Sequence, residues 1–202
     1  MKQLYRIFLI MLVMCGIKAV AQSNIHDKGF PSGDYDELKV SCDTILKTFT
    51  MVDDSNQGAY SCSLFLSGSL VKNKDGKYPV KAYPYGFNNK AFDGTIFFRE
   101  GKNGHKGILV IQISETGACE NMANYKSGLY LPLDKAIAYP KFDMIKVAKA
   151  MAYGDSLLKI KKGYFVERDF VSILKETADG YYVTYLKNPS FMAWVKKIDL
   201  IL

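Results

Sequence analysis

The stretch at residues 95–114 constrains the fold more than any other part of the chain. It reads Thr-Ile-Phe-Phe-Arg-Glu, then Gly-Lys-Asn-Gly-His-Lys-Gly, then Ile-Leu-Val-Ile-Gln-Ile-Ser. Two runs of β-branched and aromatic residues around a glycine-rich turn predict an antiparallel hairpin. The second run, residues 108–113, is apolar at all positions but Gln112. That pattern predicts a central strand with both faces covered.

The segments around the hairpin are mixed in signal. Asp34 precedes Glu37 at capping-box spacing, and Leu38, Cys42, Ile45, Leu46 and Phe49 share one helical face, so a helix is expected over 35–47. A competing alternation runs through Ile45, Lys47, Phe49 and Met51. Residues 53–58 form a polar turn and 59–70 a strand, with Gly68 at its end or in a bulge. Residues 129–139, around Pro132, predict one edge strand or two short ones. Pro140 and Gly154 bracket a second expected helix over 142–153, against a rival in which 145–151 opens a β unit. From Leu157 onward the pattern is strand and turn: strands over 157–161, 164–168, 170–176, 181–186 and 191–195. The turns fall at Lys162-Gly163, Ala178-Asp179-Gly180 and Asn188-Pro189-Ser190. The fold class expected is mainly β (α+β), with one or two helices in an N-terminal portion over 34–154 and a small barrel over 155–202.

The N-terminus reads as an address. Lys2 and Arg6 precede an apolar stretch at 7–13, and Ala19-Val20-Ala21 offers the small-x-small pattern of a signal peptide, with cleavage before Gln22. The apolar run is too short to span a membrane. Cys15 raises a lipoprotein alternative, although Met14 stands where such a signal wants a small residue. Residues 22–33 read as a flexible lead-in. The full chain carries a net charge of +7. Cleavage would remove Lys2, Arg6 and Lys18, leaving 24 basic and 20 acidic side chains and +4. So mild and dispersed a charge argues against nucleic acid as a partner. The expected location is the periplasm or the exterior.

Cys42, Cys62 and Cys119 would survive cleavage, permitting one disulfide and one thiol in three pairings. A cysteine nucleophile needs a nearby histidine. His26 lies in the lead-in, and His105 sits at the hairpin tip. Residues 107–114, extended, span roughly 26 Å at about 3.3 Å per residue, which holds Cys119 away from His105. No close-spaced set of ligands suggests a metal, and no phosphate loop or serine elbow occurs. Glu100 and Glu115 are the carboxylates a glycosidase reading would nominate. No cofactor and no catalytic residue is expected.

The segment at 78–92 concentrates Tyr78, Tyr83, Tyr85, Phe87 and Phe92 among prolines and glycines. Tyr78, Tyr83, Tyr85 and Phe87 are the candidate binding residues, suited to stacking on sugar rings or anchoring a protein. The alternative is that they form a satellite core. Trp194, with Tyr182 and Phe191 as neighbours, is expected to be core.

The C-terminal part, 157–202, resembles the bacterial SH3-like domain. The likeness rests on Lys161-Lys162-Gly163, on Val171 to Leu174, on Asp179-Gly180-Tyr181-Tyr182-Val183-Thr184-Tyr185, and on Ala193-Trp194-Val195 with Leu200. Ala193 replaces the glycine of the family's Gly-Trp-Val, and the family's Arg-Ser-Gly-Pro signature is absent. The resemblance implies a five-stranded barrel and an accessory role in holding envelope polymers or peptides. The expected function is therefore an exported, non-catalytic binding module that contacts cell-envelope glycan or protein. The alternatives are a periplasmic inhibitor or immunity-type factor, and a small cysteine hydrolase.

Overall fold

The structure, a computed structural model, describes residues 29–53, 63–101, 107–115 and 124–202. The expected signal peptide, Cys15, Cys62, Cys119, His26 and His105 lie outside these residues. The described chain is mainly β and forms two antiparallel sheets.

The first sheet comprises β1 (Gly33–Tyr35), β2 (Leu38–Asp43), β3 (Thr48–Asp53), β4 (Leu64–Ser69), β5 (Tyr78–Pro84), β6 (Phe92–Arg99), β7 (Ile108–Ile113), β8 (Leu129–Pro132) and β9 (Lys135–Ala136). Each strand from β1 to β7 pairs with its successor, and β9 pairs with β1. The sheet therefore curls until its two edges are consecutive in the chain. At the seam, the Leu133 amide donates to the Gly107 carbonyl at 2.8 Å and the next amide, of Asp134, donates to the Asp34 carbonyl at 2.8 Å. Two adjacent residues thus serve opposite edges. Tyr35, Leu38, Phe49, Met51, Leu64, Leu66, Ile96 and Leu109 fill the concave side.

The hairpin at 95–114 forms, with Arg99 opposite Ile108 and Gly94 opposite Ile113. Its second strand is not covered on both faces. Leu109, Ile111 and Ile113 are buried, whereas Ile108 and Val110 are half-buried and Gln112 is exposed. An apolar run here reflects cross-strand neighbours, because Val110 lies between Phe97 and Tyr130.

Neither expected helix exists. Residues 35–47 form a β-hairpin, with Asp36 and Lys47 in left-handed conformation at the turns (φ 55° each). Leu38 and Val40 point inward, and the Ile45 and Leu46 that a helix would have buried are exposed. Asp34 caps nothing; its Oδ1 accepts the Tyr139 hydroxyl at 2.7 Å. Residues 142–153 likewise split into β10 (Phe142–Met144) and β11 (Lys149–Tyr153), because their backbone groups are taken by strands distant in sequence. Gly154 donates to the Ile160 carbonyl at 2.7 Å within a turn. The one described α-helix is the single turn α1 (Asn124–Ser127).

The second sheet adds β12 (Lys161–Val166), β13 (Phe170–Glu176), β14 (Gly180–Tyr185) and β15 (Asn188–Lys196), in the order β10-β13-β14-β15-β11-β12. The expected turn at Lys162-Gly163 lies inside β12, and Asn188-Pro189-Ser190 opens β15. The change of sheet falls between Ala136 and Phe142, so Gly154 marks no break. Ile145, Phe165, Val171, Val183 and Val195 form its core. A third cluster of Val52, Phe65, Phe142, Met144 and Phe170 joins the two sheets. It explains why β3 is buried on both faces beyond Thr48. Phe142 donates its amide to Thr50 Oγ1 at 2.9 Å across the same junction.

Candidate functional site

The aromatic segment is divided among three environments. Tyr78 is buried in the first core, edge-on to Phe30 at 5.3 Å. Tyr83 is half-buried against Phe65 at 5.8 Å, in the junction. Tyr85 is exposed, with the Arg168 guanidinium 5.6 Å from its ring centre. Phe87 packs on Phe92 at 4.7 Å. The fold does not assemble these four into one platform.

The junction beside them is closed by Arg168, held in left-handed conformation (φ 70°) at the β12–β13 turn. Its Nη2 donates to the carbonyls of Ser63 and Tyr83 at 2.9 Å each, and its Nε donates to Ser63 Oγ at 3.1 Å. Asn89 reaches back, donating from Nδ2 to the Lys146 carbonyl at 2.8 Å and to Glu167 Oε1 at 2.9 Å. These contacts bind the sheets together and leave the guanidinium little freedom for a ligand.

Cys42 is unbridged and packs at the edge of the first core. Burial pushes its thiol up to about 12, only partly opposed by a hydrogen bond with Ser32. A thiol held so far above neutrality is a poor nucleophile. Among the described residues, no group of three or more His, Cys, Asp or Glu is placed to hold a metal ion. Glu100 and Glu115 follow opposite ends of the β6–β7 pair, beyond Arg99 and Ile113.

The side chains available for recognition lie instead on the outer face of the second sheet. Trp194 is not core. Ala193 and Val195 turn inward, so the strand's alternation turns Trp194 outward, half-buried. Lys175 stands opposite Tyr182, Tyr182 opposite Trp194, Trp194 opposite Tyr153, and Tyr153 opposite Lys161. This row crosses five strands. Tyr182 and Trp194 pack at 5.3 Å with their planes tilted by 41°. Lys175 Nζ sits 5.9 Å from the Tyr182 ring centre. Further along the β11–β12 pair, Lys149 Nζ lies 4.4 Å from the Tyr164 ring, which is 56% exposed. Phe191, the other expected neighbour of Trp194, faces the core and meets Phe165 at 5.3 Å.

Comparison with family models, curated proteins and solved structures returns no match. The site rests on its own geometry.

Physically, the row offers the half-buried faces of Tyr182 and Trp194, with Tyr153 buried beside them, bounded at both ends by ammonium groups. Aromatic faces take the C–H face of a sugar ring or an apolar side chain, and the lysines favour carboxylates or other anions beside them. The signal for it was present in sequence: a tryptophan between Ala193 and Val195, both small enough to pack beneath a sheet, points away from that core.

Proposed function

We propose that the chain is an exported, non-catalytic binding module of the cell envelope, and that the outer face of its second sheet holds envelope glycan. The observation that carries this reading is the row Lys175–Tyr182–Trp194–Tyr153–Lys161, which places the chain's one tryptophan on an outer face. Three supports come from the sequence: the leader at 1–21, the resemblance of 157–202 to bacterial SH3-like domains, and the accessory role that this resemblance implies. The short meander β13–β14–β15, turned at Asp179-Gly180, is compatible with that family's architecture. Tyr85 and Phe87 would then extend recognition only as peripheral contacts.

The test is co-sedimentation with insoluble cell-wall glycan, followed also by Trp194 emission. Trp194→Ala with Tyr182→Ala should reduce retention by about tenfold, in keeping with the weight that buried aromatic anchors carry at binding sites. Tyr85→Ala should change it little. Unchanged retention of the double variant, with its fold intact, removes this reading. A second reading, a protein-binding inhibitor, is favoured by Leu157 (71% exposed) and Ile160 (66% exposed) in the β11–β12 connection. Loss of a co-purifying protein on Leu157→Ser, with glycan binding absent in the parent chain, would select it.

A further inference from the structure

The turn between β2 and β3 carries two large aliphatic side chains that stand exposed among the described residues. Ile45 is 90% exposed and Leu46 is 68% exposed. Their presentation is ordered. Asp43 Oδ1 accepts the amides of Ile45 at 2.9 Å and Leu46 at 2.8 Å, and Lys47 closes the turn in left-handed conformation. Val71, 57% exposed, adjoins them. Thr48 stands opposite Ser69, and the Leu70 amide donates to the Lys47 carbonyl at 2.8 Å. Ile45, Leu46 and Val71 therefore project from one end of the curled sheet.

That end is ringed by cations. Lys47, Lys72 and Lys74 are exposed, and Lys77 is half-buried beside them. Lys72 Nζ lies 5.4 Å from the Tyr78 ring, which holds it next to the aliphatic tip. On the acidic side, Asp43 is occupied by the turn amides and Asp75 is exposed in the 70–77 connection. Gly29, the first described residue, lies here too, since a Cβ built on it would come within 3.1 Å of Leu70 Cδ2. The second sheet stays clear of the tip: it packs on Val52, Phe65 and Tyr83, toward the other end of β3, β4 and β5.

We propose that this tip docks on an anionic lipid bilayer, with Ile45, Leu46 and Val71 entering the headgroup–acyl boundary and the lysines meeting the phosphates. Charge complementarity selects this occupant. A bilayer interface is apolar beneath and, with acidic lipids, negative at its rim, which is the arrangement of an aliphatic point inside a ring of ammonium groups. Among the described residues, the tip exposes no aromatic anchor of the kind that dominates protein interfaces. Because Asp43 already fixes the turn, little conformational freedom is lost on insertion. The inference concerns the end of the molecule away from Trp194, so it stands or falls independently of glycan binding.

Sedimentation with vesicles tests it, using the chain as processed by an exporting host. Vesicles of phosphatidylglycerol mixed with phosphatidylcholine should bind it at least about tenfold more tightly than phosphatidylcholine alone, and salt should weaken the binding. Ile45→Ser with Leu46→Ser should lower affinity for the anionic vesicles by about tenfold or more. Both side chains are exposed, so an unchanged thermal midpoint will show that the fold is intact. Lys72→Glu with Lys74→Glu should abolish the preference for the anionic lipid. Equal binding to both vesicle types overturns the proposal, as does a serine variant that binds like the parent. A parent chain that is dimeric, made monomeric by the serine pair and without affinity for vesicles, also overturns it by assigning the tip to a contact between copies.

Discussion

Asp143 is fully buried on β10, between two residues that serve the junction core. Burial pushes its carboxyl from the ordinary 3.8 up to about 7, against the opposing pull of the Met144 amide, Lys141 and the amides of Leu202 and Ile201. Tyr181 faces it from the neighbouring structure, and its hydroxyl is raised chiefly by its own burial. Between 3.8 and about 7 the folded chain keeps a proton that the unfolded chain has released. The stabilisation from this group is thus complete below 3.8, declines as pH rises, and is lost above about 7. Urea unfolding across that window should show a falling midpoint, worth up to a few kcal/mol, and Asp143→Asn should flatten the slope. An equal slope in both chains would mean that other groups carry it. Nothing in the sequence marked Asp143, since a single carboxylate between two apolar residues reads as the solvent face of a strand. Trp194 was the opposite case. Its neighbours Ala193 and Val195 encoded an outward orientation that the expectation of a core shared with Tyr182 and Phe191 obscured.

At the scale of elements, the hairpin at 95–114 was legible because its runs and its turn agreed with each other. The segments at 35–47 and 142–153 were not, because the same apolar positions satisfy a period of two and a period near 3.6. Leu38 and Val40 decide for β only when β1 and β3 flank them, and that information lies in pairing rather than in local propensity. The seam is a pairing feature of the same kind. A Cβ on Gly33 would lie 2.2 Å from the Lys135 carbonyl oxygen and 2.9 Å from Leu133 Cδ1. Gly33→Ala must therefore push β9 away from β1. Forced overpacking of this kind costs about 1–3 kcal/mol, to be read as a lower thermal or urea midpoint. A variant as stable as the parent would show that the seam can give way without loss.

For the whole molecule, the junction determines whether two sheets behave as one. Arg168 gives its hydrogen bonds to carbonyls of β5 and of the residue before β4. Arg168→Ala removes these bonds from the junction between the sheets. Hydrogen bonds from charged groups contribute roughly 1.5–3 kcal/mol, so the loss should lower the unfolding midpoint and separate the melting of the two sheets. Arg168→Lys should recover little, because one ammonium cannot reproduce the fork. A single transition at the parent midpoint would assign cohesion to Val52, Phe65, Phe142, Met144 and Phe170 alone. The seam has a further consequence for self-pairing. Sheet edges template association with other chains, yet here the edges of the first sheet are only four and two residues long and run into each other. In the second sheet, β10 is three residues long, which leaves β12 as the edge able to recruit another strand, and β12 opens on Lys161 and Lys162. Those two charges are therefore gatekeepers: replacing both with valine should increase aggregation through β12 over that of the parent, read as light scattering.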